Sequence, residues 1–372
     1  MVFHTNCRWW RGDKPCRENR LCEGCSAFQP LGPRLLVIKL GARGDVLRTT
    51  PLIAGLRRAY PDAHLTWLTA PESTELLQGL PSLDRVLAWS LESAQELLAR
   101  PFELLVCLDK EPWALGLAER IAAREKRGWG LAPDGTGTPR PFTPEAEYSL
   151  ALGVSDELKF RRNLKTYPEI IFEAAGLQYR GEPYAFSLTD VDRQAARAFL
   201  KRNRVARGER LLGLFTGSGA AFANKSWTPD GFAALARRAR RELKARVLLL
   251  GGPQERRLNA RIRSLAKTPL LDTRGAHTLR EFAGLLEACR VVVTGDTVAL
   301  HLALAVKRPV VALFGPTVHQ EIGVPAPGEK LVSPAGCAPC YRRECDKHPN
   351  CMEQLDAETV WQAVRRAWLG AA

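Results

Sequence analysis

Near its start the chain places a strand, a glycine turn, a helix and a second strand within about 35 residues. Residues 35–40 are an apolar run with the length and branching of a buried parallel strand, and Gly41 and Gly44 interrupt it. Residues 46–60 have apolar side chains near helical spacing, and the apolar run 64–69 follows directly. This order predicts a βαβ unit of the doubly wound type.

The same alternation of strands and helices resumes in the second half of the chain. Each predicted strand there ends in a glycine-bearing loop; the strands are 211–216, 247–250, 291–294 and 309–314. In the first half, 102–109 is a further strand, 115–124 a helix and 130–165 a long loop. A length of 372 residues suits two such cores. We therefore predict an α/β fold with two Rossmann-like domains, whose parallel sheets face a central cleft.

The chain is basic, with a formal charge of +14, which favours anionic partners. Residues 237–246 concentrate part of this charge; a solvated helix face is one interpretation, and attraction to phosphate or lipid headgroups is the other. No run of about 20 apolar residues and no apolar signal region is found in the sequence. We expect a cytoplasmic protein, with peripheral contact to the inner membrane as an option.

The loop after the first strand carries a candidate catalytic carboxylate. Gly41 and Gly44 let the backbone turn sharply, so that amides at the start of the helix can face an anion. Asp45 stands at the rim and can accept a proton from an attacking hydroxyl. The alternative is that Asp45 only caps its helix.

Three loops of the second half carry candidate anion-binding and sugar-binding groups. Residues 216–227 combine two glycines, a hydroxyl and Lys225, the groups that bind a diphosphate, although the spacing is not that of a Walker P-loop. Glu255 can hydrogen-bond a nucleoside. Asp296 and Thr297 open a helix that bears His301, where sugar hydroxyls and phosphate can bind; a packed core histidine is the alternative for His301.

The order and spacing of these loops, with Gly315-Pro316-Thr317 after the last strand, resemble glycosyltransferase family 9 over residues 34–370. The resemblance implies the two-domain fold called GT-B and an inverting transfer. It makes Asp45 the general base and puts Gly44 and Arg48 on the acceptor side. The donor-binding residues that it implies are Thr216, Ser218, Gly219, Lys225, Glu255, Asp296, Thr297 and His301.

The resemblance also implies substrates: a heptose moves from ADP-heptose to a lipopolysaccharide core or a related envelope glycan. Lys225 and amides at a helix start stabilise the departing diphosphate, and no metal is expected in catalysis. Val298 stands where the family has glycine. The alternatives are therefore a GT-B transferase or epimerase that uses a different nucleotide sugar, or a heptosyltransferase that acts on protein.

We expect four segments along the chain. They are a Cys-rich extension at 1–33, an acceptor-binding domain at 34–185, a nucleotide-sugar-binding domain at 186–355 with a Cys-rich segment at 337–351, and a helix at 356–372 with the option of crossing back to the N-terminal domain.

Eight of the ten cysteines fall into two groups. The N-terminal cysteine group is Cys7, Cys16, Cys22 and Cys25, and the C-terminal cysteine group is Cys337, Cys340, Cys345 and Cys351. Each contains a Cys-x-x-Cys pair, and the expected location argues against disulfides. Structural zinc is our first choice of metal, an iron or iron–sulfur centre the second, and reduced thiols without metal the alternative. Cys107 and Cys289 are predicted core residues.

A zinc-bearing nucleic-acid binder is the competing interpretation from another class of protein. The basic residues are scattered and no block of aromatic and basic residues for recognition is found in the sequence, so no nucleic-acid partner is expected.

Overall fold

A computed structural model describes residues 1–12, 14–218 and 223–371. The chain forms two compact units. The first contains Met1–Ser155 and Pro168–Pro183, and the second contains Asp156–Tyr167 and Tyr184–Ala372. The segment Asp156–Tyr167 thus makes its contacts with the second unit although it interrupts the first in sequence.

The first unit is built on a six-stranded sheet. Its strands are β1 (Arg34–Ile38), β2 (His64–Thr69), β3 (Arg85–Ala88), β4 (Phe102–Cys107), β5 (Ala123–Leu131) and β6 (Pro139–Pro141). The spatial order is β3-β2-β1-β4-β5-β6, parallel except for the antiparallel pair β5 and β6. The central strand β1 is nearly all buried because both faces of a parallel sheet are covered.

Seven helices belong to the described part of this first half. They are α1 (Arg43–Thr49), α2 (Pro51–Ala59), α3 (Thr74–Leu77), α4 (Leu91–Leu98), α5 (Pro112–Arg120), α6 (Glu147–Val154) and α7 (Tyr167–Ala174). Capping is explicit at α4, where the Ser90 hydroxyl accepts a hydrogen bond from Ser93 N and Ser93 Oγ accepts one from Ser90 N.

The second unit repeats the plan with a six-stranded sheet that is parallel throughout. Its strands are β7 (Leu211–Phe215), β8 (Arg246–Leu250), β9 (Leu271–Asp272), β10 (Cys289–Gly295), β11 (Val310–Phe314) and β12 (Glu329–Val332). The order β12-β11-β10-β7-β8-β9 is the doubly wound order, with β7 and β10 at its centre. The predicted α/β class with two Rossmann-like parallel sheets is confirmed.

Six helices complete the second unit in the described residues. They are α8 (Asp190–Arg202), α9 (Pro229–Leu243), α10 (Arg256–Ala266), α11 (Leu279–Ala288), α12 (Val298–Ala305) and α13 (Ala357–Gly370). The basic helix α9 directs apolar side chains such as Phe232 into the core, and its Arg238 pairs with Glu242 and Glu358. Part of its basic face is therefore neutralised by ion pairs.

Three local predictions were wrong. The helix expected at 46–60 is two helices, because Pro51 lacks an amide hydrogen and begins a new one. The helix expected at 115–124 begins at Pro112 and ends at Arg120, since β5 starts three residues later. The segment 130–165 is not a long loop: it contains β6, α6 and a π-helical turn, Leu158–Arg162.

The C-terminal helix α13 packs on the second unit. Trp361 and Trp368 are buried in the same core as Phe232, and Asp356 caps the helix by accepting from Glu358 N and Thr359 N. The helix thus completes the core of the second unit, and the crossing considered for 356–372 stays a prediction. None of the described helices is long and apolar enough to span a bilayer.

Candidate functional site

The loop after β1 lies where the strand order of the first sheet reverses. Strand β1 is hydrogen-bonded to both β2 and β4, so the loops after β1 and β4 are neighbours at one edge of the sheet. In doubly wound sheets ligands bind at the carboxyl ends of the strands beside such a reversal. The sequence-predicted residues Gly44, Asp45 and Arg48 are all on helix α1, which starts there.

Asp45 does not act as the N-cap of its helix. Ala42 occupies the N-cap position of α1 without a side-chain cap, and Asp45 is in the first turn, where a negative charge is stabilised by the helix dipole. Its Oδ1 lies 3.0 Å from Nε of Arg48, and the Asp45 side chain remains 38% exposed. Asp45 is therefore not the N-cap residue, and its carboxylate is partly accessible.

Two buried charges behind this loop hold it in place. Asp109 is the second residue after β4. Its Oδ2 accepts a hydrogen bond of 2.8 Å from Leu40 N and lies 3.4 Å from Nζ of Lys39. Both side chains are buried, so each needs the other to offset the cost of losing water. Asp109 was not among the predicted site residues because it ends an apolar run, although a carboxylate at the end of a strand beside β1 is itself a signal of a site.

The second sheet repeats this geometry at the pair β7 and β10. The loop after β7 begins at Thr216 and reaches Lys225, and the loop after β10 contains Asp296 and Thr297. Nζ of Lys225 lies 3.6 Å from Oδ2 of Asp296, and a Cβ at Gly295 would lie 3.1 Å from the Lys225 carbonyl oxygen. The structure thus brings together Lys225, Asp296 and Thr297.

Thr297 and His301 complete this cluster on α12. Thr297 is the N-cap: its Oγ1 accepts from Ala299 N and lies 3.1 Å from Oγ1 of Thr294. His301 is one turn further on; its side chain is buried, and its Nε2 lies 3.9 Å from Oδ1 of Asp296. The burial of His301 is consistent with the packed core histidine that was the alternative. Its imidazole nevertheless lies close enough to Asp296 to belong to the same cluster of side chains.

The remaining donor-side residues are on the loops after β7 and β8. Thr216 is buried and its Oγ1 donates to Oδ1 of Asn259 over 2.6 Å, so its hydroxyl has a structural partner. Glu255 accepts a hydrogen bond of 2.7 Å from Gly252 N, and a Cβ at Gly217 would collide with its carboxylate. Gly217 thus lets these two loops touch. Ser218 is half-buried on the same loop, and Gly219 lies outside the described residues.

Asn224 connects the loop that follows β7 to the C-terminal cysteine segment. Its Nδ2 donates to the Arg342 carbonyl over 2.7 Å. The same segment contacts the loop after β11, because the amides of Cys340 and Tyr341 donate to the Pro316 carbonyl over 3.1 and 2.9 Å. The sequence did not predict these contacts, which join residues far apart in the chain. The cysteine segment therefore packs beside the candidate donor loops.

All ten cysteines are free thiols. Burial raises the pKa of Cys107 and of Cys289 to about 12, consistent with plain core residues. Burial, together with the charges of the other three thiols of its group, raises the pKa of Cys351 to about 11. Within the described ranges, no three His, Cys, Asp or Glu side chains form a cluster that could hold a metal ion as they stand.

More than half of the chain is similar to a known protein family. The family model described as glycosyltransferase family 9 (heptosyltransferase) matches residues 153–350. Lipooligosaccharide heptosyltransferase 2 of Campylobacter jejuni is 27% identical over 167 residues, which cover 43% of this chain and 52% of the relative. The chain thus spans about half the length of this relative.

Solved structures show a similar fold across both units. The glycosyl transferase family 9 structure from Veillonella parvula has a TM-score of 0.72 at 20% identity, covering 91% of this chain and 97% of that one. E. coli ADP-heptose lps heptosyltransferase II has a TM-score of 0.65 at 16% identity, covering 90% and 98%. The iron-containing dodecameric glycosyltransferase TibC of enterotoxigenic E. coli has a TM-score of 0.54 at 14% identity, covering 90% and 78%.

Proposed function

The chain belongs to glycosyltransferase family 9, and on that premise we propose that it moves a heptose from ADP-heptose to a lipopolysaccharide core or a related envelope glycan. The observation that carries the proposal is the set of chemical groups that each unit presents where its own strand order reverses. The first unit offers an accessible carboxylate, and the second offers a lysine, an acid and a capped helix start. The names of the heptosyltransferase relatives support the choice of sugar.

In the proposed reaction an acceptor hydroxyl attacks the anomeric carbon of the heptose. The new carbon–oxygen bond forms as the bond to the β-phosphate breaks, and its electron pair leaves with ADP. Asp45 receives the acceptor proton, and Gly44 and Arg48 line the acceptor side. A single displacement of this kind inverts the configuration at the anomeric carbon.

The second unit binds the donor in this proposal. Lys225 and the amides at the start of α12 stabilise the negative charge that develops on the leaving diphosphate. Asp296 accepts hydrogen bonds from sugar hydroxyls, and Glu255 accepts them from the adenosine ribose. The hydroxyl of Thr297 and the imidazole of His301 complete the donor contacts, and Thr216, Ser218 and Gly219 supply the loop around the diphosphate.

The C-terminal cysteine group is our candidate for a structural metal site near these donor loops. The backbone of its segment is hydrogen-bonded to the Pro316 carbonyl and, through the Arg342 carbonyl, to Asn224. Zinc is our first choice, and iron the second because TibC is an iron-containing glycosyltransferase. When bound, such a metal would crosslink the segment; the reaction itself is assigned to side chains.

The test is a transfer reaction read by mass spectrometry. The full chain is incubated with ADP-heptose and a lipopolysaccharide acceptor truncated before its first heptose, with omission of the acceptor as the control. The expected result is an acceptor heavier by one heptose and free ADP, produced only when both substrates are present.

Other outcomes of this test identify the alternatives. A changed nucleotide sugar without acceptor indicates an epimerase, and transfer only from another nucleotide sugar indicates a different donor, as Val298 in place of the family glycine allows. A gain of mass on an added protein instead of the glycan indicates a protein-directed enzyme. Each of these results contradicts the proposed function.

A further inference from the structure

The N-terminal segment, residues 1–33, has no core of its own. None of its described residues is buried, and the buried apolar core of the chain begins at Leu35. Neither a helix nor a multi-residue strand is found in its described part, where only an isolated bridge joins Cys7 to Pro30. A segment this short seldom folds without a crosslink, because it cannot bury enough apolar surface to offset its lost chain entropy.

The segment is nevertheless held in a defined path by its backbone. Arg8 N donates to the Gln29 carbonyl over 2.7 Å, and Leu31 N donates to the Asn6 carbonyl over 2.8 Å. These two bonds bring the beginning and the end of the segment side by side. The loop that the bond between Asn6 and Leu31 closes contains all four cysteines of the N-terminal group.

All four cysteines of the N-terminal group line one small cavity of about 20 Å³. The cavity is also lined by aromatic side chains, among them Trp9, Trp10 and Phe28. Each cysteine is half-buried, and none forms a disulfide. Free cysteine side chains are usually scattered through an apolar core, so four of them around one apolar cavity are unusual.

Each of the four cysteines also starts a tight turn. Its carbonyl accepts a hydrogen bond from the amide three residues later; the donors are Trp10, Asn19, Cys25 and Phe28, at 3.0, 3.0, 3.0 and 3.4 Å. The backbone is therefore fixed at every thiol. A fixed backbone lowers the entropy lost when the sulfurs converge on an ion.

The charge of the segment suits a thiolate site. Four thiolates around a divalent ion carry a net charge of about −2, because each sulfur must lose its proton to bind metal. Residues 1–33 contain five basic residues and three acidic ones. The guanidinium of Arg17 packs 3.8 Å above the Trp9 ring, and Arg20 donates to the Gly24 carbonyl between the last two cysteines.

We infer that the N-terminal cysteine group binds one zinc ion through four thiolates, and that this ion folds the segment 1–33. The thiols do not yet form a coordination sphere, so binding draws the sulfurs toward the centre of the cavity they line. Tetrahedral thiolate coordination is typical of structural zinc, and the free energy of binding becomes folding free energy of the segment. The inference does not depend on the sugar or the acceptor.

Metal content of the full chain tests this inference. The variant Cys7→Ser, Cys16→Ser, Cys22→Ser, Cys25→Ser is compared with the wild type and with Cys289→Ala, which removes a buried core thiol. We expect the quadruple variant to bind one zinc ion fewer per chain and Cys289→Ala to bind as much as the wild type. Equal zinc in all three proteins, or a loss of iron in place of zinc, overturns the inference.

Alkylation of the wild-type protein supplies a second test that needs no variant. The native chain is treated with N-ethylmaleimide with and without a zinc chelator, and labelled peptides are identified by mass spectrometry. We expect the four N-terminal cysteines to be labelled only after chelation, while buried Cys107 and Cys289 stay unlabelled in both. Full labelling without chelator, or disulfides among the four, contradicts the proposed site.

Discussion

The Nζ of Lys225 lies 3.6 Å from Oδ2 of Asp296, which joins the loops after β7 and β10 by an ion pair where the strand order of the second sheet reverses. Both side chains are mostly shielded from water, at 15% and 19% exposed, so the pair is screened less than a surface pair. It fixes one positive charge beside the N-terminus of α12. A diphosphate that binds there meets a lysine already held in position.

Replacing that lysine should weaken donor binding. We expect Lys225→Met to lower the affinity for ADP by about tenfold to a hundredfold, because a charge-assisted hydrogen bond contributes roughly 1.5–3 kcal/mol. Isothermal titration calorimetry measures the change. Lys201→Met, which removes an exposed lysine from α8 of the same unit, serves as the control and should bind ADP like the wild type. Equal affinity of both variants would disprove the role of Lys225.

The Thr297 hydroxyl should stabilise α12 as its N-cap. Loss of the bond to Ala299 N in Thr297→Ala is expected to cost about 1 kcal/mol, whereas Thr297→Ser retains the hydroxyl and most of the stability. Thermal unfolding followed by circular dichroism compares the two midpoints. An alanine variant that melts with the serine variant would show that the cap contributes nothing.

Asn224 should act as a positioning residue for the donor loop. Without the bond from its Nδ2 to the Arg342 carbonyl, we expect Asn224→Ala to raise KM for the donor by about twofold to tenfold and to leave kcat nearly unchanged. The control is Asn203→Ala, which removes a comparable bond to the Phe199 carbonyl on α8. Steady-state kinetics measure both constants. A lower kcat with an unchanged KM for the donor would refute a positioning role.

Asp84 should hold the N-terminal segment on the first sheet. Burial acts to raise the pKa of Asp84, but hydrogen bonds from Leu65 N, Arg57 and Arg8 outweigh it and lower the pKa. Since the folded pKa is the lower one, the stabilisation is complete above the unfolded value of about 3.9 and is lost as the pH falls through the folded value.

The corresponding experiment is limited trypsin digestion at neutral pH. We expect Asp84→Asn to be cut within residues 1–33 faster than the wild type, because the two guanidinium groups lose their carboxylate. Asp62→Asn removes an exposed carboxylate nearby and should be cut at the wild-type rate. Identical digestion of the two variants would contradict an anchoring role for Asp84.

Much of the fold could be predicted from the sequence because local patterns determine it. The apolar runs that form β1, β2, β4, β7, β8, β10 and β11 are buried on both faces, so strand positions follow directly from hydrophobicity. Prediction failed where a tertiary partner decides the structure. At the segment 130–165, Nε1 of the preceding Trp129 donates to Ser149 Oγ and so connects β5 to α6, a contact that no local pattern reveals.

The residues of the candidate site could likewise be predicted only where local sequence patterns mark them. Glycine loops with Asp45, Lys225 and Asp296 were identifiable because loops after parallel strands gather at one sheet edge. Asp109 and Asn224 were not, since each is defined by a partner about 70 or more residues away in the chain. Spacing also did not indicate that the C-terminal cysteine segment packs against the donor loops, which depends on the bonds to Pro316.

The transfer rate of Asp45→Asn shows whether this carboxylate takes the acceptor proton, because the substitution keeps the shape of the side chain and removes its ability to act as a base. We expect kcat to fall by about 100-fold to 10,000-fold while the affinity for ADP, measured by calorimetry, stays at the wild-type value. Transfer by Asp45→Asn at the wild-type rate would contradict the assignment of this carboxylate as the base.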